Sequence, residues 1–296
     1  MIEKILNKIS VKPPYFALSN MVMETNETLS AMVPVEQPMG NEYGIISAAE
    51  AGRHMAILGS CALSIKNPNP GRHYYLAVGA KVKKISNLDE TGVLFGKANV
   101  VHLDKRNGIV STKLFTENGQ LLFIIEVTYK IMQHNLFEKL FIQNKQNEPF
   151  IPIYNSPYQK DHPLSEPIFT NNILKTSLGP LQPNECQGHF QNFPAVPVAI
   201  LMHSLSKAAG QLLAHNMGNK SLSYIVERGV VKAENLAFAG SKINIVISQS
   251  ETEDYNFICR ALSDKGMEYG SMDLSLRPIA AKLDIPKLSY IKHIDN

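Results

Sequence analysis

The chain has no tryptophan, only three cysteines and no long apolar run, and each scarcity removes a class of protein. Cys61, Cys186 and Cys259 stand far apart, follow no metal-ligand spacing and are odd in number, which argues against a zinc ribbon and a disulfide framework. Such thiol usage suits a reducing cytoplasm. No stretch approaches the roughly 20 consecutive apolar residues of a membrane span. The opening "MIEKILNKIS" has charges among its apolar residues, which fits a short amphipathic helix better than a signal peptide. A glycine-rich phosphate loop, a Gly-x-Ser-x-Gly elbow and a metal-spaced cluster of His, Asp and Glu are also missing, so no metal, nucleotide or serine-hydrolase site is expected. The formal charge of +3 is too small to indicate nucleic-acid binding.

What is present is an ordinary globular composition, 44% hydrophobic and 19% charged, in 296 residues, enough for two units of typical size. The order of elements repeats. A helical stretch over 44 to 65 is followed by strand-like segments at 73 to 85, 92 to 103, 108 to 119 and 120 to 131, rich in β-branched and aromatic residues. A second helix from about Pro197 to about Asn216 is followed by strand-like segments at 221 to 236, 241 to 250, 255 to 266 and 267 to 278. Asn118-Gly119 and Lys265-Gly266 supply the glycine of a tight hairpin turn in each half. A weaker strand pair, "YFALSNMVM" and "TLSAMVPV", precedes the first helix.

The second helix carries an apolar stripe of Val198, Leu201, Met202, Leu205, Ala209 and Leu212, with Pro197 at its first turn. The first is built from small residues, among them Ala48, Ala51, Gly52, Ala56 and Gly59, and asks for close neighbours around most of its circumference. The expected fold is therefore α+β: two long central helices, each wrapped by a curved antiparallel sheet, with the two sheets joined at their edges into one. The expected divisions are a first unit over 1–135, a linker over 136–165, a second unit over 166–280 and a C-terminal tail over 281–296. The linker holds four prolines and many polar residues, which suits a path across a surface.

Gly188-His189-Phe190, followed by Pro194 and Pro197 and then by a helix carrying Ala208-Ala209-Gly210, gives the chain a family likeness. "YYLAVGAKVKKI" after the first helix and "PPYFALSNMV" at 13 to 22 add to it. The sequence resembles the double hotdog β-hydroxyacyl thioester dehydratases of fatty-acid and polyketide synthesis. The resemblance implies a histidine in that turn and an acid fourteen positions later on the central helix, one from each unit at a shared site. Position 203, fourteen after His189, is a histidine, and position 36, fourteen before Glu50, is a glutamate. His189 of the second unit and Glu50 of the first are then the catalytic pair of one composite site, while Glu36 and His203 form a degenerate second one.

That resemblance implies a 3-hydroxyacyl thioester dehydratase. His189 would take the proton at C2, Glu50 would assist the departing hydroxyl, and backbone N–H groups at Gly44, Ile45 or Val198 would polarise the carbonyl. Gly188 and Phe190 would complete the substrate-binding residues. The substrate would be carried on the phosphopantetheine of acyl carrier protein or coenzyme A, with no other cofactor, no metal and no membrane span, and a homodimer is allowed. Two other readings stay open: an acyl thioesterase with Glu50 as base or nucleophile, and a noncatalytic acyl-binding protein of a synthase assembly. Val198 and Lys207 stand where the family usually has glycine and glutamine, which favours these two. Glu50 is also read as an i,i+3 partner of Arg53, and Arg53, Arg72, Lys81, Lys83, Lys84 and Lys207 as cations facing an acidic carrier or solvent.

Overall fold

The computed structural model describes residues 2–87, 92–146 and 156–279. The expected tail over 281–296, and part of the expected linker, lie outside the described residues. The chain begins with α1 (Ile2–Leu6), the short helix foreseen there, and two edge strands, β1 (Ser19–Met23) and β2 (Thr28–Val33). The first long helix, α2 (Ala48–Lys66), leads into β3 (His73–Lys84), β4 (Leu94–Leu103), β5 (Asn107–Thr116) and β6 (Leu121–Gln133). After the short α3 (His134–Leu140) come β7 (Ile168–Thr170) and β8 (Ile173–Leu178). The second long helix, α4 (Val198–Asn216), precedes β9 (Ser223–Ala233), β10 (Ile243–Gln249), β11 (Asn256–Leu262) and β12 (Glu268–Ile279).

All twelve strands form one sheet, in the order β1-β2-β4-β5-β6-β3-β9-β12-β11-β10-β8-β7. Read from either edge to the middle, the two halves have the same connectivity. They meet where β3 runs antiparallel to β9, from Gly79 opposite Lys232 to Lys83 opposite Arg228. Pairing at this seam consumes two edges that would otherwise be exposed, and the outer edge at β7 is only three residues long. The foreseen hairpin glycines lie at positive φ, +78° at Gly119 and +79° at Gly266.

The small residues of the long helices are explained by what surrounds them. Fourteen of nineteen residues are buried in each, so both are enclosed rather than laid on a surface. They also pack on one another. A Cβ on Gly59 would run into the Tyr129 hydroxyl, which donates to the Ala56 carbonyl at 2.7 Å. Gly210 likewise leaves room for the Tyr224 ring, whose hydroxyl reaches the Ser206 carbonyl at 3.3 Å. In each half a tyrosine from the sheet lies against a helix backbone, and only glycine permits the approach.

Two expectations change. The first helix begins at Ala48 rather than 44, because Ser47 caps it and Gly44, at φ +143°, lies before the cap. The connecting segment does not merely cross the surface. Its Phe137 is fully buried in a second cluster with Tyr74, Phe190, Phe193 and Ala195, and stacks on Tyr74 with ring centres 3.7 Å apart. Tyr158, further along, is buried in the main core.

Candidate functional site

The turn before α4 is shaped by Gly188, at φ +81°, where a Cβ would strike the backbone of Lys12, Pro13 and Tyr15. That contact is fixed by Lys12 N–H, which donates to the Gly188 carbonyl at 2.7 Å. His189 follows, nearly buried, with its ring stacked on Phe190 at 4.1 Å and edge-on to Tyr15 at 4.9 Å. Its Nδ1 lies 2.9 Å from the Ala195 carbonyl. A carbonyl only accepts, so Nδ1 carries the proton and Nε2 keeps its lone pair. Burial, helped by the positive charge of Arg53 and opposed by the Ala195 bond, pushes the His189 pKa down to about 4. The imidazole is therefore neutral at pH 7.

His189 stands in the wall of a cavity of about 540 Å³ between the two long helices and the β3–β9 seam. This volume is that of a small-molecule pocket. Its wall is mostly apolar: Ala48, Ala49, Gly52 and Ala56 from α2, Ala199 and Met202 from α4, and Ala77, Gly79 and Ala80 from β3. The small faces of α2 and β3 are what leave the space open. Tyr15, Arg53 and Tyr75 add polar atoms.

Of the residues singled out in the sequence, His189, Phe190 and Val198 line this cavity; Glu50, Glu36, His203, Gly44, Ile45 and Gly188 are not part of its wall. Glu50 is fully buried, and its Oε1 accepts from the backbone N–H groups of Glu36 and Gln37 at 2.5 and 3.0 Å. Glu36 pairs with Arg53, Oε2 to Nη1 2.9 Å. The i,i+3 partner expected for Glu50 is thus taken by Glu36, and the neighbour of Glu50 along the helix is His54, 3.5 Å away. Burial pushes the His54 pKa down, against the pull of Glu50. Glu36, Glu50 and His54 offer donor atoms within 4.8 Å of one another. Three such donors fall one short of the four-donor shell of a structural zinc.

His203 lies elsewhere, within electrostatic reach of Asp161, Lys207 and His162, and burial pushes its pKa down to about 4. Lys207 is held by Asp161 at 2.6 Å, and His162 is 3.7 Å from Glu185. The polar residues of the connecting segment occupy this side of α4. Lys84, counted among the free cations, donates to the Tyr43 carbonyl at 2.8 Å.

Sequence reasoning missed Tyr15, Tyr158 and Glu42, and misread Arg53. No local motif marks the two tyrosines, which reach the site from distant loops. Glu42 is buried and accepts from Ala48 N–H at 2.8 Å, at the start of α2. Burial, opposed by that bond and by Lys84, lifts its pKa to about 7. Its signal was present as an acid six residues before a helix start. The N-terminus of α4 has no such finish: Pro197 precedes it without a side-chain cap, and Val198 and Ala199 line the cavity.

The chain has the hotdog fold, as its similarity to solved structures shows. A conserved protein of unknown function with hot dog fold from Alicyclobacillus acidocaldarius has a TM-score of 0.54 at 11% identity, covering 91% of this chain and 99% of that one. An acyl-ACP thioesterase from Bacteroides thetaiotaomicron has a TM-score of 0.52 at 10% identity over 86% of this chain and all of its own. The 12:0-ACP thioesterase from Umbellularia californica has a TM-score of 0.51 at 8% identity, covering 85% of this chain and 94% of that one. No family model matches the sequence, and no curated protein does. No described helix is long and apolar enough to cross a membrane. The dehydratase expectation is corrected here: the similar structures are mainly of thioesterases, and Glu50, the carboxylate that was to share the site with His189, is not part of the cavity wall.

Proposed function

We propose that the chain is a double hotdog acyl thioesterase, hydrolysing an acyl thioester of coenzyme A or acyl carrier protein in the cavity at His189. The observation that carries this is one apolar cavity whose wall holds a neutral histidine with its Nδ1 fixed on a carbonyl. Small residues of α2 and β3 give the acyl chain its room. Nε2 of His189 takes a proton from water, and the water oxygen bonds to the thioester carbon. The uncapped N–H groups at Val198 and Ala199 favour the charge that develops on the carbonyl oxygen, aided by the positive end of the α4 dipole. As the C–S bond breaks, His189 returns the proton to the departing sulfur, leaving carboxylic acid and free thiol. Glu50 here holds the loop at Glu36 and Gln37 rather than acting as base or nucleophile.

The test is release of free thiol from a series of acyl-CoA and acyl-carrier substrates, with enoyl formation from 3-hydroxyacyl thioesters followed in parallel. Thiol release is expected, with kcat level from pH 7 to about 5 and falling as His189 becomes protonated near pH 4. Tight acyl binding without thiol release would instead support the acyl-binding reading. Hydrolysis whose acid limb lies near the ordinary histidine value, about 6.5, would remove His189 as the base.

A further inference from the structure

Arg53 is the charged side chain that acts on His189, and every one of its nitrogens is already engaged. Nε and Nη2 donate to the Tyr15 carbonyl at 3.2 and 2.7 Å, Nη2 also to the Pro14 carbonyl at 3.1 Å, and Nη1 pairs with Glu36 at 2.9 Å. The flat guanidinium lies near the Tyr15 and Tyr158 rings, 5.0 and 4.3 Å from their centres. Those two rings meet edge to face at 5.1 Å. Both lead to the histidine: the Tyr15 ring touches the His189 ring, and the Tyr158 hydroxyl donates to the Gln187 carbonyl at 2.8 Å, two residues before it. An arginine bonded in this way to two loop carbonyls and paired with Glu36 ties three segments together. Its planar fork and stacking faces suit it to joining segments, a role lysine fills poorly.

We propose that Arg53 is a positioning residue for His189, fixing the imidazole through the Tyr15 and Tyr158 rings. The clamp joins α2, the Pro14–Tyr15 loop, the loop at Glu36 and the connecting segment around one turn. It also places a positive charge where it opposes protonation of the histidine. Around the imidazole stand Tyr15 from the N-terminal loop, Phe190 from its own turn and Arg53 from α2, with Tyr158 beside Tyr15 and Glu36 beside Arg53. Lys130, Lys232 and Glu234 line the same cavity.

Only the kinetic part of this inference rests on the thioesterase reading. The first arm is an NMR pH titration of the His189 ring in the full chain, for the wild type, Arg53→Met and Arg53→Lys. Removing the cation in Arg53→Met is expected to raise the His189 midpoint by more than half a pH unit, while Arg53→Lys leaves it within about 0.3 unit. An unchanged midpoint in Arg53→Met would overturn the inference whether or not the protein hydrolyses thioesters. The second arm is kinetic: Arg53→Lys should lose at least tenfold in kcat with KM within twofold, because the charge remains and the clamp does not. Full kcat in Arg53→Lys would also overturn it. Should Arg53→Met not fold, Tyr158→Phe removes only the bond to Gln187; a threefold or greater fall in kcat with the His189 midpoint unmoved is expected, and unchanged kcat would count against the clamp.

Discussion

The two long helices have the same length and enclosure, yet their N-termini are finished in opposite ways. At α2, Ser47 accepts from Glu50 N–H at 3.1 Å and Glu42 from Ala48 N–H at 2.8 Å, so the protein's own groups take up the first turn. At α4 no side chain caps the helix, and the first turn faces a cavity that begins at His189. The lesson is a division of labour. The second half supplies the His189 turn and an open helix end, and the first half supplies the small-residue wall and Arg53. Glu50 is taken up by backbone N–H groups, and His203 lies outside the cavity wall, within electrostatic reach of Asp161, Lys207 and His162.

The turns before the two helices allow the sharpest contrast. Gly188→Ala places a methyl group against rigid backbone at φ +81°, whereas Gly44→Ala at φ +143° meets chiefly the Lys84 ammonium, the movable end of a side chain. Positive φ costs each about 1–3 kcal/mol, and overpacking adds a similar amount only at Gly188. Urea unfolding should therefore show a loss of about 4 kcal/mol for Gly188→Ala and about 2 for Gly44→Ala. Equal losses would mean that the turn at His189 is no more tightly held than its counterpart.

A smaller effect should separate the two ends by pH. Glu42 binds its proton more tightly when folded, at about 7, than when unfolded, near the ordinary carboxylate value of 4.5. Its contribution to stability is therefore full below pH 4.5 and lost as pH rises through 7. Glu42→Gln keeps an oxygen for Ala48 N–H and removes the charge. It should stabilise the protein at pH 8 by roughly 3 kcal/mol and have little effect at pH 4.5. His189 and His203 act in the opposite window: their folded pKa values are lowered to about 4, so their contribution is present above the ordinary histidine value and lost as pH falls through 4. Thermal melts of wild type and Glu42→Gln across this range would check both signs.

Most of the fold was legible because hydrophobic period, turn glycines and element order repeat along the chain, and each of these is local. The strand at 73 to 85 and the helix from 197 to 216 differ from β3 and α4 by about one residue at their ends. The site was legible only in part. The His189 turn announces itself through glycine and prolines, but which acid or cation stands beside it depends on how α2 is rotated. Glu50 and Arg53 lie three residues apart on one helix, and it is Arg53 that lines the cavity. The loop at Glu36 and Gln37, which binds Glu50, has no signature in sequence. Phe137 and Tyr158 looked like linker residues because the polar, proline-rich segment around them hid two buried aromatics.

The most direct test sets the two histidines against each other. Thioester hydrolysis would be measured for the wild type, His189→Gln and His203→Gln, each first shown to be folded by circular dichroism. A site confined to the His189 cavity predicts a loss of about 100-fold or more for His189→Gln, the usual worth of a general base, and less than threefold for His203→Gln. Equal losses, or a larger loss at His203, would contradict the account and move the chemistry to the other side of α4.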